Sequence, residues 1–297
     1  MVRFLSSMSA ITVKEKLGGL SVAQQAALVH LLEDDDPAVN EVVRQRILAC
    51  GEGAIEWLQG YRLDANPVIR KRVLGLLQFL GRQRADNDFL SLCLSHGEDF
   101  DLEEAMWSLA ATRYPEINVE GYRALLDEMA DELREDLPTS GASGEVLAHI
   151  NTCLFDSRGF KGNESDYYDP ENSYLNRVMD RRMGNPVSLC LIYLFVARRL
   201  QLPIAGIGMP GHFLCRYQTS REEVFIDAFN QGRLLSKSDC IKYLMQVSYG
   251  YQEGLLSPAS PRRILLRVCS NLHQVYVHFK DREETNRLQR YVVALAR

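Results

Sequence analysis

The stretch "GNPVSLCLIYLFVARRLQLPIAGIGMPGHFLCRY", Gly184 to Tyr217, decides how this chain must fold. Asn185 is a good N-cap and Pro186 a good first-turn residue, so a helix starts there and continues to about Gln201. Val187, Leu189, Leu191, Ile192, Leu194, Phe195 and Val196 lie all round that helix and not on one stripe. A helix apolar on every side belongs at the centre of its domain. After Pro203 the pattern changes to "IAGIGM", "HFLCRY" and "EVFIDAF", short runs separated by the turn-formers Pro-Gly and Gln-Thr-Ser-Arg. A buried helix is thus followed by consecutive strands.

The last two strands permit a register. If "QTSR" makes a short reversal, His212 stands opposite Asp227 and Arg216 opposite Glu223, while Phe213 meets Ile226 and Cys215 meets Val224 on the other face. A slip of one residue would set charges against the apolar face. A carboxylate beside a histidine fixes its tautomer and stabilises the imidazolium, as a general base beside a nucleophile requires; a structural His-Asp pair is the alternative. Ser188 and Cys190 are the candidate nucleophiles, and about 200° separates them on the helix, so both cannot point at His212. Cys190 sits just past the first turn in apolar surroundings, which favours a core cysteine over a reactive one.

Upstream the chain is helical. In residues 31–80 Pro37 recurs as Pro67, Val39 as Ile69, Val43 as Val73 and Ile47 as Leu77, a period of 30 residues. Each unit opens with acidic or Asn residues, then Pro, then apolar positions at helical spacing, which is a helical repeat that buries its face by stacking. A third unit at "DLEEAMWSLAAT" is weaker, and "VEGYRALLDEMADELREDL" adds an amphipathic helix. "PTSGASGE", Pro138 to Glu145, marks the expected boundary. The organisation expected is therefore a helical region over 1–137, a core over 145–250 and a helix pair over 258–297.

Composition excludes several classes. Net charge is −5 with both signs interspersed, so no electrostatic footprint for nucleic acid is present. No apolar run is long enough to span a bilayer, and residues 1–16 lack a signal-peptide core. Seven scattered cysteines, none in a C-x-x-C pair, argue for a reducing cytoplasm and against a disulfide framework or thiolate zinc site. His212 and Cys215 point to opposite faces of a strand, and Gly206, Gly208 and Gly211 precede a strand and no helix, so neither a metal nor a phosphate-bearing cofactor is expected.

The strings "NSYLN", "RRMGNP", "PGHF" and "FIDAFN", spread over about residues 145–245, resemble the bacterial SirB-type family, whose core belongs to the transglutaminase-like superfamily. The resemblance implies a papain-like α+β fold, a central helix on an antiparallel sheet, with a Cys-His-Asp site across the cleft. His212 and Asp227 match the family's histidine and aspartate; the enzymes place the thiol at the helix start, where this chain has Asn185, Pro186 and Ser188, with Cys190 one turn later. The preceding helices resemble HEAT-type repeats, and "PRRILLRVCSNLHQVYVHFKDREETNRLQRYVVALAR" resembles a tetratricopeptide-type pair with a turn near Lys280. The function expected is a protein- or peptide-binding regulatory module with a degenerate thiol site, contacting its ligand through Asn185, Ser188, Arg216 and Asn230. The alternative is a cysteine-dependent amide hydrolase or acyl transferase using Cys190, His212 and Asp227.

Overall fold

The computed structural model describes residues 20–95, 97–98, 100–136, 143–247 and 252–297. Residues 1–16 and most of the expected boundary, residues 138–142, lie outside them. The chain divides into two compact units, one holding residues up to Asn87 with Thr112–Glu116, the other Asp88–Ala111 and Ile117–Arg297.

The first unit contains α1 (Val22–Leu31), α2 (Pro37–Leu48), α3 (Gly53–Gln59) and α4 (Pro67–Ser95) as far as Asn87. The two recurring prolines both open helices. Asp36 accepts a hydrogen bond from the Ala38 amide at 2.8 Å, and Asn66 accepts one from Val68 at 2.9 Å, so each start is capped by the acidic or amide residue before its proline. The apolar positions thirty residues apart, Val43 with Val73 and Ile47 with Leu77, are buried in one core cluster with Leu58 and Ile69.

The second unit holds the end of α4, then α5 (Leu102–Ala111), α6 (Val119–Asp136) and α7 (Ser143–Asn151). Asn151 leads into a single π-helical stretch, Thr152–Ser157. Strand β1 (Lys161–Gly162) pairs in parallel with β2 (Met183–Gly184), on either side of α8 (Leu175–Arg181). That helix stops at Arg182, which adopts the left-handed conformation, and Gly184 belongs to the strand that follows. Helix α9 (Pro186–Arg199) follows, with its residues from Pro186 to Tyr193 all buried. Burying each large aliphatic or aromatic side chain contributes about 1.5–3 kcal/mol, so α9 is the main apolar centre of the unit.

Strands β3 (Ile204–Met209), β4 (His212–Gln218), β5 (Glu223–Asp227) and β6 (Arg233–Leu235) form an antiparallel sheet in sequence order. Pro210 and Gly211 make the β3–β4 turn, and Gly211 has φ +73°, a conformation an L residue adopts only with strain. Helices α10 (Lys237–Gln246), α11 (Pro261–His278) and α12 (Arg282–Leu295) complete the unit, the last two packing on each other. Among the described residues no helix is long and apolar enough to cross a membrane.

The β4–β5 register corrects the expected one by two residues. Gln218 pairs with Glu223, Arg216 with Phe225 and Cys215 with Ile226. The cause lies in the turn. Thr219 Oγ1 accepts from the amides of Arg221 and Glu222, and Thr219 donates its own amide to Glu222 O at 3.0 Å, so Thr219–Glu222 all belong to the reversal. His212 is therefore not directly opposite Asp227 but diagonal to it. A two-residue shift preserves the alternation, and both side chains remain on one face.

Candidate functional site

Alternation in the sheet creates two faces with different chemistry. On one, Ile207, Met209, Leu214 and Phe225 pack with Cys240 and Leu244 of α10 and with Leu256. His212 and Asp227 lie on this face, at its end. The other face, with Phe213, Cys215 and Ile226, is fully buried and meets α9. Cys190 donates its thiol to Phe213 O at 3.5 Å, and Cys215 donates to Cys190 O at 3.5 Å. The structure thus joins Cys190 to the β4 backbone from the side opposite His212.

His212 and Asp227 do meet. Nε2 of His212 lies 2.9 Å from Oδ2 of Asp227, and Asn230 donates to the same carboxylate from its side chain at 2.8 Å and from its backbone at 3.2 Å. Burial would raise the Asp227 carboxyl, but the hydrogen bond and charge of His212, aided by Asn230, outweigh it and hold the carboxyl below its usual range. An ionised Asp227 fixes the Nε2–H tautomer of the imidazole and leaves Nδ1 without a hydrogen-bond partner among the described residues. The turn that carries Asn230 is held from behind: Asn151, at the start of the π-helical stretch, donates to Gly232 O at 2.8 Å. A Cβ at Gly232 would approach Asn151 Oδ1 to 2.3 Å, and the φ of +73° there also requires glycine.

His212, Asp227 and Asn230 line a cavity of about 550 Å³, together with Tyr167, Pro186, Met209, Phe229, Arg233, Cys240, Lys242 and Tyr243. The first turn of α9 thus reaches this cavity through Pro186, which has neither a nucleophile nor an amide hydrogen. The thiol in its lining is Cys240, which burial pushes up to about 11, with Asp239, Glu223 and Asp227 acting in the same direction. On the α9 side, burial pushes the Cys215 thiol and the Tyr193 hydroxyl far above their ordinary ranges.

The remaining residues singled out in the sequence have other places. Asn185 accepts from the amides of Val187 and Ser188 and donates to Ser173 Oγ at 2.8 Å. Ser188 donates its hydroxyl to Asn172 O at 2.6 Å and accepts from the Asn185 amide. Both are buried, and they tie the start of α9 to the segment before α8. Asn172 in turn donates to Asp166 O at 2.8 Å, which shapes the loop that carries Tyr167. Arg216 contacts Glu223 at 3.3 Å and Leu256 O at 3.0 Å. Of the four proposed contact residues the cavity lining includes Asn230 and not Asn185, Ser188 or Arg216. Sequence reading missed Tyr167, Phe229, Arg233 and Tyr243, although "DYY" supplies two adjacent aromatics in a polar loop, which is a signal for exposed rings.

A family model described as "Transglutaminase-like superfamily" matches residues 120–270. A UPF0162 protein of Xylella fastidiosa (strain 9a5c) is 35% identical over 195 residues, 63% of this chain and 69% of the relative. A UPF0162 protein of Pseudomonas aeruginosa is 29% identical over 187 residues, 62% of this chain and 67% of the relative. F-box only protein 21 of Mus musculus is 36% identical over 136 residues, which are 43% of this chain and 21% of that protein. The chain thus spans about two thirds of the length of these bacterial relatives and about a fifth of the F-box protein. No solved structure matches.

Proposed function

We propose a binding role for this chain, which belongs to the transglutaminase-like superfamily: it is a protein- or peptide-recognition module built on a papain-like core whose thiol site is degenerate. One observation carries the reading. The oriented His212–Asp227 pair opens onto a cavity in which α9 presents Pro186, while the thiol of Cys190 bonds to Phe213 O on the far face of the sheet. A base faced on α9 by proline, with the thiol of Cys240 in the lining held protonated by its burial, can hold a ligand but has no activated sulfur to acylate. His212, Asn230 and Arg233 then serve as polar contacts. The helical region over 1–137, read as HEAT-like, supplies a second protein-facing surface, the tetratricopeptide-like pair over 258–297 caps the core, and the protein works in the cytoplasm as a SirB-type regulator.

The test is incubation of the full chain with a fluorescent primary amine and casein, with casein fragments followed by mass spectrometry. The expected result is neither amine incorporation nor cleavage above the level of His212→Ala. Turnover that disappears in both His212→Ala and Cys190→Ala would replace the binding reading with that of a thiol hydrolase or acyl transferase.

A further inference from the structure

The cavity continues into a row of aromatic rings. Phe229 meets His212 edge-on, with centroids 6.5 Å apart at 86°, and Tyr167 meets Phe229 at 6.3 Å and 78°. Tyr167 meets Tyr168 at 5.7 Å and 82°. Tyr168 stacks on His278 at 4.8 Å, and His278 meets Phe279 at 5.4 Å and 77°. Along this row Tyr167, Tyr168 and Phe279 are 47%, 51% and 54% exposed. Large rings held half in water stabilise little of the fold, and a contiguous set of them marks an interaction surface.

The geometry of the row restricts what it can hold. The rings of Phe229 with Tyr167 and of Tyr167 with Tyr168 meet nearly at right angles and form corners, while Tyr168 lies flat on His278 at 20°. The exposed face beside each corner can take the flat side of a pyrrolidine ring, and a polyproline-type segment brings such rings to one side of an extended chain with little ordering cost. Charge gives the row a direction. Arg233 lines the cavity, is exposed, and has no ion pair among the described residues. The two aspartates in the lining are already satisfied, Asp227 by His212 and Asn230, and Asp239 by Ser236 and, at 3.7 Å, by the other cation of the lining, Lys242. The cavity end is therefore ready for a carboxylate.

We infer that cavity and rings form one groove for an extended, proline-bearing peptide, with an acidic residue at Arg233 and prolines running over Tyr167 and Tyr168 towards Phe279. This rests on the binding reading above and gives its ligand a chemistry. Arg233 and Lys242 share the lining with Asp227 and Asp239, and this mixture of signs does not provide the basic track that single-stranded nucleic acid requires.

A phage library of random dodecapeptides is selected on the full chain, and the enriched peptides are synthesised and titrated by fluorescence anisotropy. Proline-rich sequences with Asp or Glu at one end are expected. Tyr167→Ala/Tyr168→Ala should weaken them by about tenfold or more, the usual size for aromatic anchors. Arg233→Glu should shift the selection towards Lys or Arg at that end. Circular dichroism monitors folding, and Phe279→Ser, exposed and outside the cavity, replaces the tyrosine pair if that variant unfolds. Enriched peptides without proline, or binding indifferent to the ring variants, would overturn this inference and leave the binding reading standing. Competition by a single-stranded oligonucleotide at equal concentration would overturn it in favour of nucleic acid. Failure to enrich any peptide would sink both.

Discussion

The two faces of the four-stranded sheet are built from alternate residues of the same strands, yet they do different things. Towards α9 the sheet presents Phe213, Cys215 and Ile226, and the space is fully buried and contains two thiols. Towards α10 it presents His212, Leu214 and Asp227, apolar in the middle and polar at the end that opens to the cavity. The difference teaches that a cysteine, a histidine and an aspartate can lie close together in a sequence and still be partitioned by a sheet. Position along the chain sets which residues are near; strand parity sets which can meet.

Neighbours in sequence offer the sharpest contrast. Phe213→Ala should cost about 4 kcal/mol in urea unfolding, because it removes a fully buried ring and leaves a cavity against α9. His212→Ala, one residue away on the other face, should cost only about 1–2 kcal/mol, the loss of one partner of Asp227. Equal costs would break the distinction between a packing face and a site face.

A smaller effect follows from Asp227. Its carboxyl titrates lower in the folded chain than in the unfolded one, since His212 and Asn230 overcome the burial that would raise it. The unfolded chain therefore binds the proton at higher pH, and the stabilisation is complete above the ordinary carboxylate range of about 4 and is lost as pH falls through the folded value. Asp227→Asn should lower stability at pH 7 by about 1 kcal/mol and flatten its decline in acid, read from urea midpoints across pH. An unchanged acid profile would remove Asp227 from the charged pair.

Much of this was legible in the sequence because it depends on local rules. Asn185 and Pro186 announce the start of α9, and the Pro-Gly turn announces β4. The pairing of His212 with Asp227 survived a register error because the error was even: Thr219 drew two more residues into the turn, and parity was kept. The face of Cys190 was not legible, since a helix apolar all round gives no periodicity from which to choose. Strand β6 and helix α10 also escaped notice, although Ser236 and Asp239 form a capping box that signals the helix. The ring row was invisible for another reason. Phe229, Tyr168 and His278 come from three separate segments, and only the fold brings them together.

The most direct measurement is alkylation of the native chain by iodoacetamide at neutral pH, with each cysteine followed by mass spectrometry. Half-buried Cys50 and Cys153 should be modified first, and fully buried Cys190 should stay unmodified over the same interval, equally so in the wild type and in His212→Ala. Rapid modification of Cys190 that disappears in His212→Ala would put the thiol and the imidazole in one active site and contradict the account.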